Sequence, residues 1–155
     1  MSITAPNSGA TLMIVDIARL LRKRFETALA HVDTGLTVAE ARALAFVWRN
    51  PGLRQAAIAE RMSVEPMTLV GYLDALEREG LVERKVDPSD RRAKLVTLTE
   101  AADPVLERIE TAIMDVRKDA LEGLTENQRD ALEAALKLMR SNLCTKDQAT
   151  PEAAQ

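Results

Sequence analysis

Between Thr11 and about Ala30 the chain places Met13, Ile17, Leu20, Leu21 and Phe25 at helical spacing, while Arg19, Arg22, Lys23 and Arg24 crowd the remaining surface. That period predicts an amphipathic helix. The polar stretch before it, rich in Pro, Asn, Ser and Gly, predicts disorder over residues 1–10. Thr37-Val38-Ala39-Glu40 is a capping box that opens a second helix with Ala41, Leu44, Ala45 and Trp48 as its apolar face. Asn50-Pro51-Gly52 stops it. A short third helix follows over about Arg54 to Met62, with Ile58 and Met62 facing inward. After the turn Ser63-Val64-Glu65, Pro66 suits the first position of a fourth helix. Leu69, Tyr72, Leu73 and Leu76 give that helix one apolar face, and Gly80 ends it.

Beyond Gly80 two β-prone runs, LVERKV and KLVTLT, predict a hairpin. Hairpins usually turn in a few residues. Here the residues between the runs predict a long tip, carrying Arg91 and Arg92 with Lys94 just beyond. Asp87-Pro88-Ser89-Asp90 has proline where a type I turn favours it. Two long helices complete the pattern. One starts near Thr99 or at Asp103-Pro104, with Val105, Ile109, Ala112, Ile113, Val116 and Ala120 as its stripe. Gly123 breaks it. Thr125-x-x-Gln128 is a second capping box, opening a helix striped by Leu132, Leu136, Met139 and Leu143. A polar, frayed tail is expected from Thr145.

Composition sharpens this picture in two ways. Of 155 residues 46% are hydrophobic but only 3% aromatic, so a real core must be built from aliphatic residues, as in helical proteins. The net charge of −3 is unevenly spread. Residues 99–155 hold seven basic and twelve acidic residues, whereas Arg84 to Lys94 alone hold five basic and two acidic. A local basic spot on an acidic body still reaches phosphates within a Debye length of ~10 Å, with weak non-specific binding as the consequence. The single cysteine, Cys144, excludes an intramolecular disulfide. Neither a signal peptide nor a membrane span is apparent, so no membrane partner and a cytoplasmic location are expected.

The order helix, helix, turn, helix, hairpin is that of a winged helix-turn-helix. Its second helix can enter a DNA major groove, and its wing can place arginines in the neighbouring minor groove. The predicted class is mainly α, with a small β component (α+β): a winged helix-turn-helix with N- and C-terminal dimerisation helices. Residues 36–98 would form the DNA-binding lobe, 11–35 and 99–145 a helical dimerisation region, and 146–155 a disordered tail. Candidate DNA-binding residues are Arg54, Gln55, Pro66, Met67, Thr68, Gly71, Tyr72, Asp90, Arg91, Arg92 and Lys94. The long apolar stripes of the outer helices call for a second copy. A two-fold homodimer would present its recognition helices to half-sites ~34 Å apart on a pseudo-palindromic operator.

The stretch GLVERKVDPSDRRAKLVTLTEAADPV, preceded by LDALEREG, resembles the MarR family of bacterial transcriptional regulators, and within it looks like the SlyA branch. The resemblance implies a triangular homodimer that represses or activates nearby genes and is often released from DNA by a small, frequently phenolic, ligand. It places Arg91 at the wing arginine that enters the minor groove, with Asp90 similar to the acidic residue that orients it. Arg92 and Lys94 would support phosphate contact, and Thr68 falls where the family uses a small hydroxyl residue. The chain departs from the family at Gly71 and Ala75, where arginine is common. Arg54 stands where Ser or Thr often caps the preceding helix.

The family's ligand pocket is walled by the first, second and penultimate helices. Arg19, Arg22, His31, Phe46 and Trp48 are the candidates for it here, with Arg42 as a further possible cation. Beside that stand the plainer readings: core packing for Phe46 and Trp48, a helix-end residue for His31, and an inert thiol rather than a redox sensor for Cys144. No metal or cofactor is expected, because His31 has no second ligand at suitable spacing. Two competing functions remain open: a winged-helix module that binds protein rather than DNA, and, more weakly, an enzyme. Against an enzyme stands the lack of a phosphate loop, a metal cluster or a nucleophile paired with the one histidine.

Overall fold

A computed structural model describes the backbone of residues 9–147. Of the disorder expected over residues 1–10 and 146–155, the parts at 1–8 and 148–155 fall outside the described residues, whereas Lys146 and Asp147 continue the last helix. Gly9 instead caps α1 (Ala10–Ala30), its carbonyl accepting from Leu12 N at 3.0 Å. α2 (Val38–Arg49) opens on the expected capping box. Glu40 N donates to Thr37 Oγ1 at 3.2 Å, and Thr37 N to Glu40 Oε2 at 2.8 Å. This helix is buried on more than the face its spacing suggested. Ala41, Ala43, Leu44, Ala45 and Val47 are all inaccessible because α1, α3 (Gln55–Met62), α4 (Pro66–Arg78) and the hairpin pack around it. Small side chains permit that many neighbours. Trp48, expected on the same apolar face, is 40% exposed.

Ile58 and Met62 of α3 and Leu69, Leu73 and Leu76 of α4 complete the centre of the core, and Val82 and Val96 extend it into the hairpin. Gly80 adopts φ +72, the left-handed conformation that ends α4 without a Cβ penalty.

The hairpin corrects one expectation. β1 (Val82–Asp87) and β2 (Asp90–Leu98) are antiparallel and joined by two residues only, Pro88 and Ser89. Arg91 and Arg92 therefore lie in β2, not in a long loop. Val86 pairs with Lys94 and Asp87 with Asp90, so Arg91, Arg92 and Ala93 have no opposite residue on β1. The extra residues expected in the tip are accommodated as an irregularity of one strand, which bends a hairpin and re-aims its side chains.

A 3₁₀ turn (Glu100–Ala102) leads into α5 (Asp103–Ala120), which buries Leu106, Ile109 and Ile113. α6 (Glu126–Asp147) starts at the second capping box, where Gln128 N donates to Thr125 Oγ1 at 3.3 Å and Thr125 N to Gln128 Oε1 at 2.9 Å. The chain divides into two compact units, up to Arg117 and from Lys118 onward. In the first, α1 exposes Leu12, Met13, Val15, Ile17 and Leu20; in the second, α6 exposes Leu132, Leu136, Leu138 and Leu143.

Candidate nucleic-acid interface

The turn between α3 and α4 is built by Ser63, whose φ of 54 lets Val64 N reach back to Ala59 O at 3.0 Å. Pro66, Met67 and Thr68 follow as the exposed first turn of α4, because the opposite face is fixed by Leu69, Leu73 and Leu76. Gly71 lies one turn beyond Met67 on the exposed side. A Cβ there would meet nothing within 4 Å and its φ is not in the left-handed range, so the fold does not require glycine. Tyr72 is half-buried against the core. Gln55, the first residue of α3, is also half-buried, and its Oε1 has no hydrogen-bond partner among the described residues. Between Pro66 and Glu77 α4 carries no Lys or Arg.

The wing is fastened to both helices of this motif. On the α4 side, Arg84 of β1 is the anchor: its guanidinium pairs with Asp74 and donates to Glu77 Oε2 at 2.6 Å. Hydrogen bonding to Glu77 raises the Arg84 pKa above its ordinary value, and the same bond holds the Glu77 carboxyl below its own. On the α3 side, Arg54 Nε donates to Asp87 Oδ2 at 2.7 Å and its Nη2 to Ser89 Oγ at 3.1 Å, with Asp90 Oδ2 3.8 Å from Nη1. Leu95 of β2 bridges Arg54 through the backbone as well. Asp87 is the one buried charged residue among those described; bonds from Ser89, then from Arg54, lower its pKa.

These contacts redistribute the expected basic spot. Arg84 is neutralised by α4, Lys85 pairs with Glu83 at 2.9 Å, and Arg54 is held by the wing turn. The side chains of Arg91, Arg92 and Lys94 form no hydrogen bond or ion pair among the described residues, although all three are exposed. Asp90 accepts from the Arg92 backbone N–H at 3.1 Å and faces Arg54; it does not hold Arg91, as the resemblance implied. Arg54→Ala is expected to cost about 1 kcal/mol of stability, since one partner is half-exposed. It should also speed amide exchange along β1 and β2, which hydrogen-exchange measurements resolve. Asp87 and Glu77 both have depressed folded pKa values. Their contributions are complete above the ordinary carboxyl range, ~pH 4, and are lost as pH falls through the lower folded values.

The second candidate site is a cavity of about 370 Å³ within the first unit. α1 contributes Leu21, Arg22, Phe25 and Leu29, α2 contributes Arg42, Phe46 and Arg49, and α3 contributes Arg61. Of the five ligand candidates, the structure brings together only Arg22 and Phe46. Arg19 turns to Asp16, one turn earlier, at 2.7 Å. The His31 Nδ1 lies 2.7 Å from the Thr27 carbonyl at the end of α1 and lines no described cavity. Trp48 sits two residues from Phe46, hence on the opposite side of α2. It lines a separate cavity of about 510 Å³ with Asp103, Leu106, Glu107, Glu110 and Thr111 of α5.

Arg49 and Arg61 were missed by the sequence reading. The signal for Arg49 was present, since Arg42, Phe46 and Arg49 follow the i, i+4, i+7 pattern of one helix face. Arg42 is partly compensated by Glu26 Oε1 and the Met62 carbonyl, each at 3.3 Å. Arg22, Arg49 and Arg61 make no ion pair among the described residues. Burial, then the neighbouring Arg117, lowers the Arg49 pKa against the opposing pull of Glu110. An apolar cavity rimmed by four guanidinium groups, three of them without an ion pair among the described residues, has the chemistry to take an organic anion.

No group of three or more His, Cys, Asp or Glu suited to a metal occurs among the described residues, and none of their helices is long and apolar enough to cross a membrane. Residues 36–94 match the MarR family, which covers the capping box of α2 through the irregular part of β2. A MarR family regulator from Silicibacter pomeroyi is 28% identical, with a TM-score of 0.73 over 90% of this chain and 95% of that one. CouR from Rhodococcus jostii RHA1, solved with p-coumaroyl-CoA, is 26% identical, with a TM-score of 0.61 over 94% of each chain. The S. aureus MepR–DNA complex shares the fold at 21% identity, with a TM-score of 0.62 over 90% of this chain and 99% of that one. Residues 36–94 thus match the MarR family of transcriptional regulators in sequence, within an architecture that the chain shares with solved members of that family.

Proposed function

We propose that the chain is a transcriptional regulator that binds double-stranded DNA as a homodimer on a pseudo-palindromic operator in the cytoplasm, and that a small aromatic anion modulates it. The observation that carries the DNA reading is the set of free, exposed cations on β2, Arg91, Arg92 and Lys94, held beside α4 by the Arg84 anchor. Arg54 acts in this reading by positioning the wing. Pro66, Met67, Thr68 and Gly71 face the major groove, with Gln55 and Tyr72 at its margin. The MepR complex with DNA is a precedent in the same fold. The D-P-S-D-R-R wing supports a place in the SlyA-like branch.

Selection of bound duplexes from random DNA tests this directly. A palindromic consensus, bound with an affinity that falls by a slope of about −0.9 per neutralised phosphate as salt rises, is the expected result. Failure to retain any duplex at low salt overturns it and favours the protein-binding module, to which the cation-free start of α4 otherwise points.

The ligand reading rests on the arginine-rimmed cavity, which is large enough for a phenolic acid. CouR, with its aromatic acyl thioester, is the relevant relative. Hydroxybenzoates should bind by calorimetry and weaken duplex binding. Arg49→Ala should reduce their affinity about tenfold, the worth of one charge-assisted contact. Equal affinity in that variant would remove the cavity from the regulatory scheme.

A further inference from the structure

The first turn of α4 shows an unusual combination for a surface that reads DNA. Met67 is 78% exposed, the most exposed of the large hydrophobic residues described, and contributes nothing to the core. Its neighbours on the open face are Thr68 and the side-chain-free Gly71. With no Lys or Arg between Pro66 and Glu77, the forked guanidinium contact that usually selects guanine is unavailable to these turns of the helix. The exposed cations available for phosphate sit instead on β2. Attraction and discrimination are therefore carried by different elements.

We infer, on the reading of this chain as a duplex-binding regulator, that Met67 is the specificity-determining residue of α4 and that it reads a thymine through its 5-methyl group. That methyl is the one apolar feature in the major-groove edge pattern of the four bases. A methionine side chain, unbranched and polarizable, adapts to an apolar contact of that size. Helical side chains lean toward the N-terminus, so Met67 projects over the start of α4, the part of a recognition helix that meets base edges. Gly71, one turn behind, leaves the helix surface low. A groove wall can then approach closely enough for a short apolar contact, and this accounts for a glycine that the fold itself does not require. The half-site so read carries thymine at the position facing Met67.

The test uses the intact protein and the duplex recovered by selection. Each thymine is replaced in turn by deoxyuridine, which pairs identically but lacks the methyl, and binding is followed by fluorescence anisotropy. One thymine per half-site should show about a fourfold loss, the worth of one methylene-sized apolar contact, with the loss compounding when both half-sites are changed. Met67→Ala, at an exposed position, should keep the fold and oligomeric state of the parent, bind more weakly, and be indifferent to deoxyuridine there. Met67→Arg should shift the selected base at that position toward guanine. Wild-type protein that tolerates every deoxyuridine equally, or Met67→Ala that keeps full methyl sensitivity, overturns the inference alone. Failure to bind any duplex overturns it together with the reading on which it rests.

Discussion

Arg91→Ala is expected to weaken operator binding by about 100-fold at moderate salt while leaving the thermal midpoint and the oligomeric state unchanged. The two halves of that expectation have separate grounds. Arg91 is exposed and makes no hydrogen bond or ion pair among the described residues, so the fold loses nothing with its side chain. A well-placed arginine contact to DNA is worth roughly 1–3 kcal/mol, and a two-fold dimer loses two of them. Insertion into the minor groove or contact with its phosphates would give the guanidinium this role, because a narrow groove concentrates negative potential. If the lost contacts are to phosphates, the salt slope should also fall, by about 0.9 for each. Anisotropy across a salt series gives both quantities. Parental affinity in the variant would remove the wing from the mechanism.

Removing α6, from Thr125 onward, is expected to give a chain that no longer forms dimers and unfolds at much lower temperature. α6 has no buried residue among those described, and Leu132, Leu136, Leu138 and Leu143 are 40–65% exposed. A helix of this length in water gains little from its own backbone; most helical stability comes from covering an apolar face. Stable homodimer interfaces of this kind run above ~2,000 Å², which one end of one helix does not supply. The exposed stripe of α1 offers a further apolar surface for a second copy. A gentler variant, Leu132→Asp with Leu136→Asp, keeps the helix-forming length and places two charges in the proposed interface. Sedimentation should find it monomeric. A folded, single-copy parent chain, or a dimer undisturbed by both changes, contradicts the homodimer.

Much of the fold was legible because its signals are local. Both capping boxes, the Pro66 start of α4 and the Gly80 stop act within four residues, and each forms as its spacing predicts. The exposed face of α4 was legible for the same reason: once Leu69, Leu73 and Leu76 turn inward, Met67 and Thr68 must turn outward. The hairpin was legible in existence but not in shape. A β-prone run does not say where pairing resumes, and the surplus residues went into β2 rather than into the turn.

The sequence by itself determined the order of elements and the aliphatic core, because periodicity and capping are read over a few neighbouring residues, and it carries the match of residues 36–94 to the MarR family. Only the tertiary structure decided which charges are available. Arg54 finds Asp87 across 33 positions and Arg84 finds Asp74 across ten, leaving Arg91, Arg92 and Lys94 as the exposed cations of a mostly basic stretch that form no hydrogen bond or ion pair among the described residues. It likewise gathered Arg22, Arg42, Arg49 and Arg61 around one cavity and sent Arg19, His31 and Trp48 elsewhere. Coulomb attraction and hydrogen bonding act through space, so the partners of a charge depend on how the helices pack rather than on its neighbours in the chain.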